Sequence, residues 1–264
     1  MPGNEMTLIL LGTGTGMPLT DRGSPSLLLL MEGGPVLMDM GPGTLRRLAS
    51  VGIPFNRVRQ ICITHFHPDH TADLIHFLFA TRHPSILENR RPFRITGPPG
   101  FQDFLRKIQK AYGHWLDIPS EIMEIEEMDT QKAETAILGD FRLTARPVRH
   151  TLQGLAYRID TPLGRSFVYS GDTGFCEEMV HLARNVDLLA LECSFPDKKG
   201  PDEKGMEGHL TPSLAGEIAN RSGARRLLLV HFYPEVLATD IAGDCRKTFR
   251  GELILGRDLL HLTI

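Results

Sequence analysis

The chain has 264 residues, of which 41% are hydrophobic and 23% are charged. This composition is typical of a folded globular protein and argues against intrinsic disorder and against a fibrous repeat. A formal net charge of -3 supplies no overall attraction to a phosphate backbone, so a nucleic-acid substrate would need a local basic patch.

The first half of the chain alternates short apolar runs with helical patterns. Strands are predicted at MTLILLGT, SLLLLME, PVLMDMG, RQICITH and FRITGP, and helices at GTLRRLASVGI, TADLIHFLFATR and GFQDFLRKIQKAYG. The first three strands are short apolar runs punctuated by Gly and Pro, as expected of buried strands joined by tight turns.

The second half repeats this alternation. Hairpins are predicted at AILGDFRLTARPVRH and GELILGRDLLHLTI, strands at LAYRID, RSFVYSGD, DLLALECS and RRLLLVHF, and helices near FCEEMVHLAR and TPSLAGEIANRSG. Strands in both halves with helices between them favour an α/β fold of two packed sheets with helices outside. Because no Ser/Gly-rich linker separates the halves, we expect one domain over residues 1–264.

Several features bear on the location of the protein. The apolar runs are far shorter than the ~20 residues of a membrane span, and the N-terminus lacks the pattern of a secretory signal. The four cysteines are scattered without a CxxC pair, which argues against a disulfide framework. We therefore expect a cytoplasmic protein with reduced thiols and no membrane partner.

Two groups of arginines are candidates for a nucleic-acid contact. They are Arg90, Arg91 and Arg94, and Arg142, Arg146 and Arg149. Solvated surface charge explains both groups more simply, so the sequence supports a nucleic-acid partner only weakly.

The segment HFHPDH contains four residues that can bind a metal, three histidines and one aspartate, at the end of a predicted strand. Imidazole and carboxylate groups are ligands for zinc, manganese or iron. His65 and His67 are two residues apart, so an extended backbone points both the same way. After a turn at Pro68, Asp69 and His70 address a second point nearby. The segment therefore indicates two metal positions, each needing further ligands from elsewhere.

Three polar residues that end other apolar runs are candidates for those ligands. His150 ends TARPVRH, Asp172 ends FVYSGD, and His231 ends RLLLVH. Functional residues commonly lie on loops at strand ends, where a rigid scaffold positions them.

Together these motifs resemble the metallo-β-lactamase superfamily over almost the whole chain. The resemblance implies a four-layer αββα sandwich of two mixed β-sheets with a metal cleft at one edge. It also implies the following ligands: His65, His67 and His150 for one metal, Asp69, His70 and His231 for a second, and Asp172 bridging them. The cysteine ligand of true lactamases has no counterpart here, so antibiotic hydrolysis is disfavoured.

Within that superfamily the chain is most similar to the ribonuclease Z branch, through LLGTGTGMPLTDRGSPSLLL, LMDMGPGTLRRL and the closing half from LLALECSFPD onward. Glu192 matches the Glu of that branch's HEAT motif, and His209 with Thr211 matches its HST motif. Asp39 matches an aspartate that supports the metal site without binding metal, although a turn-forming role explains it equally well.

Two departures from that branch concern the substrate. The tRNA-processing enzymes carry a long arm between the counterparts of His150 and Asp172, where this chain has only TLQGLAYRIDTPLGRSFVYSG. Their PxKxRN loop reads PLTDRG here, so a lysine is lost. Arg22 remains, either as a phosphate contact or as a turn-stabilising residue. Both losses weaken the grip on a large polyanion, which depends on many cationic contacts.

We therefore predict a dinuclear metal-dependent hydrolase, most simply a phosphodiesterase for a small or short nucleotide-like substrate. Two divalent ions, Zn preferred over Mn, would share a water and lower its pKa toward ~7, which supplies hydroxide at neutral pH. The candidate catalytic residues are Asp69, His209 as general acid, and Glu192 orienting His209.

Other functions remain open. The first is hydrolysis of another small ester, a lactone or a sulfate. The second is ribonuclease Z-type processing of tRNA 3′ ends, with a partner subunit supplying the arm. The third is a non-catalytic binding protein.

The resemblance also implies a homodimer, because relatives in this branch are often dimers.

Overall fold

The computed structural model describes residues 6–129, 131–197 and 208–264. In these residues the chain forms fourteen strands: β1 (Thr7–Gly12), β2 (Ser26–Met31), β3 (Gly34–Met38), β4 (Gln60–Cys62), β5 (Phe93–Gly97), β6 (Met123–Glu127), β7 (Glu134–Leu138), β8 (Phe141–Pro147), β9 (Leu155–Asp160), β10 (Ser166–Tyr169), β11 (Leu188–Glu192), β12 (Arg226–Val230), β13 (Glu252–Leu255) and β14 (His261–Thr263).

Helices connect many of these strands. The α-helices of the described residues are α1 (Thr44–Ser50), α2 (Pro68–Thr71), α3 (Asp73–Thr81), α4 (Pro84–Leu87), α5 (Phe101–Tyr112), α6 (Glu177–Leu182), α7 (Pro212–Ser222), α8 (Pro234–Leu237) and α9 (Ile241–Cys245). None of them is long and apolar enough to cross a lipid bilayer.

The strands form two mixed sheets of seven strands each. The first sheet has the order β14-β1-β2-β3-β4-β5-β6, and the second has the order β13-β12-β11-β10-β9-β8-β7. Parallel pairing runs from β3 to β6 in the first sheet and from β10 to β13 in the second.

The apolar residues of the strands are shared between two sets of contacts. In β1, Leu8 and Leu10 belong to the core between the sheets, which also holds Tyr157. Ile9 and Leu11 belong instead to the core under α1, α3 and α5. Alternate residues of a strand point to opposite faces, so strands covered on both sides read as continuous apolar runs. A third cluster lies between the second sheet and α6, α7, α8 and α9, which completes the predicted αββα sandwich.

The sheet topology brings several strand ends to one edge. In the second sheet, β8 and β10 are each antiparallel to β9, so β8 runs in the same direction as β10, β11 and β12. Ligand sites in open α/β sheets commonly lie outside the carboxyl ends of the strands. The segments that follow β3, β4, β8, β10, β11 and β12 contain the site described below.

One of the two predicted hairpins is wrong. The β7–β8 hairpin forms as expected, but β13 pairs with β12 in the second sheet, whereas β14 pairs with β1 in the first. The segment between β13 and β14 crosses from one sheet to the other. Asp258 fixes this crossing by accepting hydrogen bonds from the backbone N–H of Thr13 at 2.9 Å and of Gly23 at 2.6 Å.

Arg90 is buried rather than solvated. Its guanidinium lies 4.9 and 4.2 Å from the ring centroids of Phe77 and Phe93 and donates to the backbone oxygens of Phe55 and Val58 at 3.2 Å. Burial lowers the pKa of Arg90 to about 10. Arg90 is therefore part of the packing under α3, and the expected surface patch does not include it.

Replacing Arg90 by alanine is expected to lower the free energy of unfolding by about 2–3 kcal/mol, because cation–π contacts and two hydrogen bonds are lost and a cavity forms. Urea denaturation measures this change. Arg91→Ala, at the exposed neighbouring position, is the matched control and should stay within about 0.5 kcal/mol of the parent. Equal effects of the two substitutions would show that burial of Arg90 contributes nothing.

Candidate metal centre

The HFHPDH segment follows β4, where hydrogen bonds to the backbone of Ile63 hold the chain. The N–H of Ile63 donates to Thr96 O at 2.8 Å, and Tyr157 Oη donates to Ile63 O at 2.8 Å. The backbone is extended at His67, with φ -60° and ψ 145°, and Pro68 then begins α2. Pro at the first helical position suits this change of direction. The expected extended run followed by a turn is therefore present.

Three imidazole nitrogens from two strand ends meet in a first cluster. His65 Nε2 lies 3.0 Å from His67 Nδ1, which lies 3.2 Å from His150 Nε2. Asp172 Oδ2 is 3.8 Å from both His65 Nε2 and His150 Nε2. A neutral imidazole has one nitrogen lone pair and one N–H, so three converging nitrogens cannot all be satisfied by one another. A shared cation satisfies all three.

A second cluster lies on the other side of Asp172. Asp172 Oδ1 is 3.3 Å from His70 Nε2 and 3.2 Å from His231 Nε2. Asp69 Oδ2 lies 3.8 and 3.7 Å from the same two nitrogens. The two oxygens of Asp172 therefore point to different clusters. The possible ligand atoms of His65, His67, His150 and Asp172 all lie within 4.8 Å of one another, and so do those of Asp69, His70 and His231.

Three buried polar atoms of the second cluster make no hydrogen bond to any residue that the structure describes. They are His70 Nε2, His231 Nε2 and Asp172 Oδ1. Buried polar groups are normally paired, because an unpaired group loses its hydration without compensation. Unpaired imidazole nitrogens and a carboxylate oxygen directed at one point are the donor set of a divalent cation. The residues present therefore fit a metal ion.

Each histidine that presents Nε2 to these clusters has a partner on Nδ1. The pairs are His65 with Thr64 Oγ1 at 3.0 Å, His70 with Asp39 Oδ2 at 2.7 Å, His150 with Gly208 O at 3.0 Å, and His231 with Ser194 Oγ at 2.9 Å. Such outer contacts fix the ring orientation and the tautomer of a metal-ligating histidine.

Asp39 both turns the chain and supports the site. It has φ 59°, a left-handed conformation that is uncommon for residues other than glycine, and it is fully buried. Its carboxylate also accepts hydrogen bonds from Thr64 N at 2.8 Å and Tyr169 Oη at 3.0 Å. Asp39 therefore fits both roles that the sequence left open, because it turns the chain and also contacts His70 of the second cluster.

The charges of the second cluster are strongly coupled. Burial alone raises the pKa of Asp172, but His231 and His70 outweigh it and hold this pKa well below its usual value. Burial alone lowers the pKa of His70, but Asp172 and Asp39 raise it well above its usual value. Both shifts have the same cause, which is that positive charge beside the buried carboxylate of Asp172 is favourable.

His209 and Glu192 form a pair beside the clusters. His209 Nδ1 lies 2.9 Å from Glu192 Oε1, and Glu192 is buried at the end of β11. Burial lowers the pKa of His209, but Glu192 raises it, and the result is about 9. Glu192 also accepts from the N–H of Thr173 at 2.6 Å.

The structure thus brings together all nine predicted site residues: His65, His67, Asp69, His70, His150, Asp172, Glu192, His209 and His231. Sequence reasoning missed their neighbours Thr64, Tyr169 and Ser194. Ser194 lies two residues after Glu192, which was the signal available for it.

Thr211 occupies the N-cap position of α7, but its side chain makes no capping hydrogen bond. Asp197 Oδ1 instead accepts from Ser213 N at 3.1 Å and Ser213 Oγ at 2.9 Å. The carboxylate of a distant residue thus binds the first turn of this helix.

Arg22 stabilises the loop that follows β1. Its Nη1 donates to Thr13 Oγ1 at 2.6 Å and to Gly256 O at 2.8 Å, and its guanidinium lies 4.8 Å from the ring centroid of Phe232. These contacts match the turn-stabilising role among the two that the sequence left open.

A family model described as a beta-lactamase superfamily domain matches residues 35–232. The chain belongs to this superfamily. Among curated relatives of this superfamily member, ribonuclease Z of Thermobifida fusca is 24% identical over an alignment of 312 residues, covering 97% of this chain and 94% of the relative. An uncharacterized protein of Mycobacterium tuberculosis is 31% identical over 220 residues, covering 82% of this chain and 77% of that protein.

Among solved structures, the metallo-beta-lactamase fold protein YhfI of Bacillus subtilis superimposes with a TM-score of 0.82 at 22% identity, covering 98% of this chain and 100% of that protein. The family resemblance and the αββα sandwich predicted from sequence are confirmed. The chain is a hydrolase of the metallo-β-lactamase fold, and this fold implies divalent metal ions.

Proposed function

We propose that this superfamily member is a dinuclear metal-dependent phosphodiesterase acting on a small or short nucleotide-like phosphodiester. The observation that carries the proposal is the position of Asp172, whose two oxygens point to separate imidazole clusters. A carboxylate in this position suits a bridge between two cations. His65, His67 and His150 would hold one cation, and Asp69, His70 and His231 the other.

The ligand chemistry favours zinc, with manganese as the alternative. The five histidines present imidazole nitrogens, and imidazole suits zinc, whereas sites rich in carboxylate and water suit manganese. Divalent cations bound here would lower the pKa of water and neutralise charge on phosphoryl oxygens.

His209 is the proposed general acid, and Glu192 is its positioning residue. Because Glu192 holds Nδ1, the Nε2 of His209 is the atom that gives a proton to the leaving oxygen. The elevated pKa of His209, about 9, keeps this proton on the ring near neutral pH. Asp69 contributes a second carboxylate beside His70 and His231.

Three features support a small substrate. The interval from His150 to Asp172 contains only a short loop and the two strands β9 and β10, so the tRNA-gripping arm is absent. Arg22 is engaged inside its loop, and Arg94 is paired with Glu124 at 2.8 Å. These arginines add little to the cationic contacts that a long nucleic acid requires.

Processing of tRNA 3′ ends is a second candidate, because the alignment with ribonuclease Z of Thermobifida fusca covers 97% of the chain. That alignment is longer than this chain, so the relative has residues that are lacking here. A partner subunit would have to supply the missing grip.

An assay of the purified protein loaded with Zn²⁺ or Mn²⁺ tests these functions. The panel is a chromogenic phosphodiester, a lactone, a sulfate ester and a precursor tRNA. We expect turnover of the phosphodiester. Cleavage of the precursor tRNA alone would favour the second candidate. Turnover of the lactone or the sulfate ester alone would replace the phosphodiester as the substrate class. No turnover of any of the four substrates would overturn the proposed phosphodiesterase function.

A further inference from the structure

Ser194 lies between the two halves of the candidate site. It is fully buried and directly follows Cys193 after the end of β11. Its Oγ contacts Glu192 Oε2 and lies 2.9 Å from His231 Nδ1 and 3.4 Å from His209 Nδ1. One hydroxyl therefore contacts a proposed metal ligand, the proposed acid and the carboxylate that orients that acid.

The hydroxyl has one proton, which decides the direction of these hydrogen bonds. An ionised carboxylate only accepts, so Ser194 donates to Glu192 Oε2. Its oxygen is then free to accept from His231 Nδ1–H. A proton on Nδ1 leaves the Nε2 of His231 with its lone pair directed toward Asp172 and Asp69, as metal binding requires.

The same hydroxyl fixes the carboxylate of Glu192. Oε1 accepts from Thr173 N at 2.6 Å and from His209 Nδ1 at 2.9 Å. Oε2 accepts from Ser194 and, at 3.2 Å, from Leu210 N. Without Ser194, Oε2 keeps only the longer of its two contacts, so the carboxylate that orients His209 loses one of its four hydrogen bonds.

We propose that Ser194 is a positioning residue that sets both the metal-binding tautomer of His231 and the orientation of the Glu192–His209 pair. The part concerning His209 rests on the proposed phosphodiesterase function. The part concerning His231 is tested by metal affinity alone.

Three variants test the proposal. Ser194→Ala removes the hydroxyl, Ser194→Thr keeps it, and Ser222→Ala is the control. Ser222 is a buried serine whose Oγ donates to Ala219 O at 3.1 Å within α7. Thermal unfolding of each variant establishes that it is folded before comparison.

Metal affinity, measured by competition with a chromogenic zinc chelator, is the first readout. Ser194→Ala is expected to weaken zinc binding by about 10–100-fold, the range for loss of an outer contact to a ligating histidine. Ser194→Thr should recover most of this loss, and Ser222→Ala should bind zinc like the parent. Parent-like affinity in Ser194→Ala, or equal losses in the alanine and threonine variants, would overturn the assignment for His231.

Leaving-group dependence is the second readout. Ser194→Ala at saturating zinc should lose more turnover with alkyl than with nitrophenyl leaving groups, and this difference should vanish when His209→Ala is also present. A difference that persists in the double variant would overturn the link to His209. If the parent hydrolyses no phosphodiester, the proposed function fails and the link to His209 falls with it, while the zinc result still decides the role toward His231.

Discussion

His209→Ala is expected to reduce turnover of phosphodiesters with poor leaving groups by about 10²–10⁴-fold, the usual contribution of a positioned acid. A nitrophenolate leaves without needing a proton, so hydrolysis of a nitrophenyl ester should fall far less. The measurement is kcat/KM over a series of esters that differ only in the pKa of the leaving alcohol. Its dependence on that pKa should be steeper in the variant than in the parent.

Two further variants make this result specific. Glu192→Gln keeps the shape of the side chain but weakens its bond to His209 Nδ1, so it should show the same leaving-group preference with a smaller loss. His181→Ala is the matched control, because His181 is exposed on α6 and belongs to neither cluster. Equal losses for good and poor leaving groups in His209→Ala would reject the acid role.

The candidate ligands were predictable because they depend on chain direction and strand ends. His150, Asp172 and His231 each follow an apolar run, and the strands β8, β10 and β12 that contain those runs point the same way in one sheet. Parallel strands bring their carboxyl ends to the same edge. The local pattern therefore predicted which residues lie at the edge of the sheet. The family resemblance predicted which of them join the HFHPDH segment in each metal site.

The C-terminal strands were not predictable from local pattern. GELILGRDLLHLTI has two apolar runs separated by a short polar segment, which is typical of a hairpin. The two runs pair instead with β12 and β1, far away in sequence, and Asp258 bonds to Thr13 and Gly23 across that distance. Pairing between distant strands leaves no mark in the intervening residues.

The burial of Arg90 and the contacts of Ser194 could not be predicted from sequence, because both depend on residues that are distant along the chain. An arginine among polar residues reads as surface charge, and only the tertiary positions of Phe77 and Phe93 make it a buried cation. The one local signal for Ser194 is its position two residues after Glu192 in ECSFPD, which does not reveal its contacts. Its importance arises from His231 and His209, which lie on other segments.

Asp172→Asn is expected to be the most damaging conservative change in the site. Asn keeps the volume of the side chain but removes the negative charge that lies between the two clusters. Among the described residues, the first cluster has three imidazoles and no carboxylate other than Asp172. Loss of the shared anion should therefore reduce bound zinc from about two ions per chain to one or fewer. Turnover should fall by about 10²–10⁴-fold, equivalent to several kcal/mol of transition-state stabilisation.

Metal content by atomic emission after dialysis, followed by assay at saturating zinc, measures both effects of Asp172→Asn. Asp103→Asn is the matched control, since Asp103 is exposed on α5 and pairs with Arg106 and Lys107 on the same helix. If Asp172→Asn retained the metal content of the parent together with turnover close to it, two cations would not share this carboxylate. Two independent ion sites, each complete without Asp172, would then replace the bridged centre.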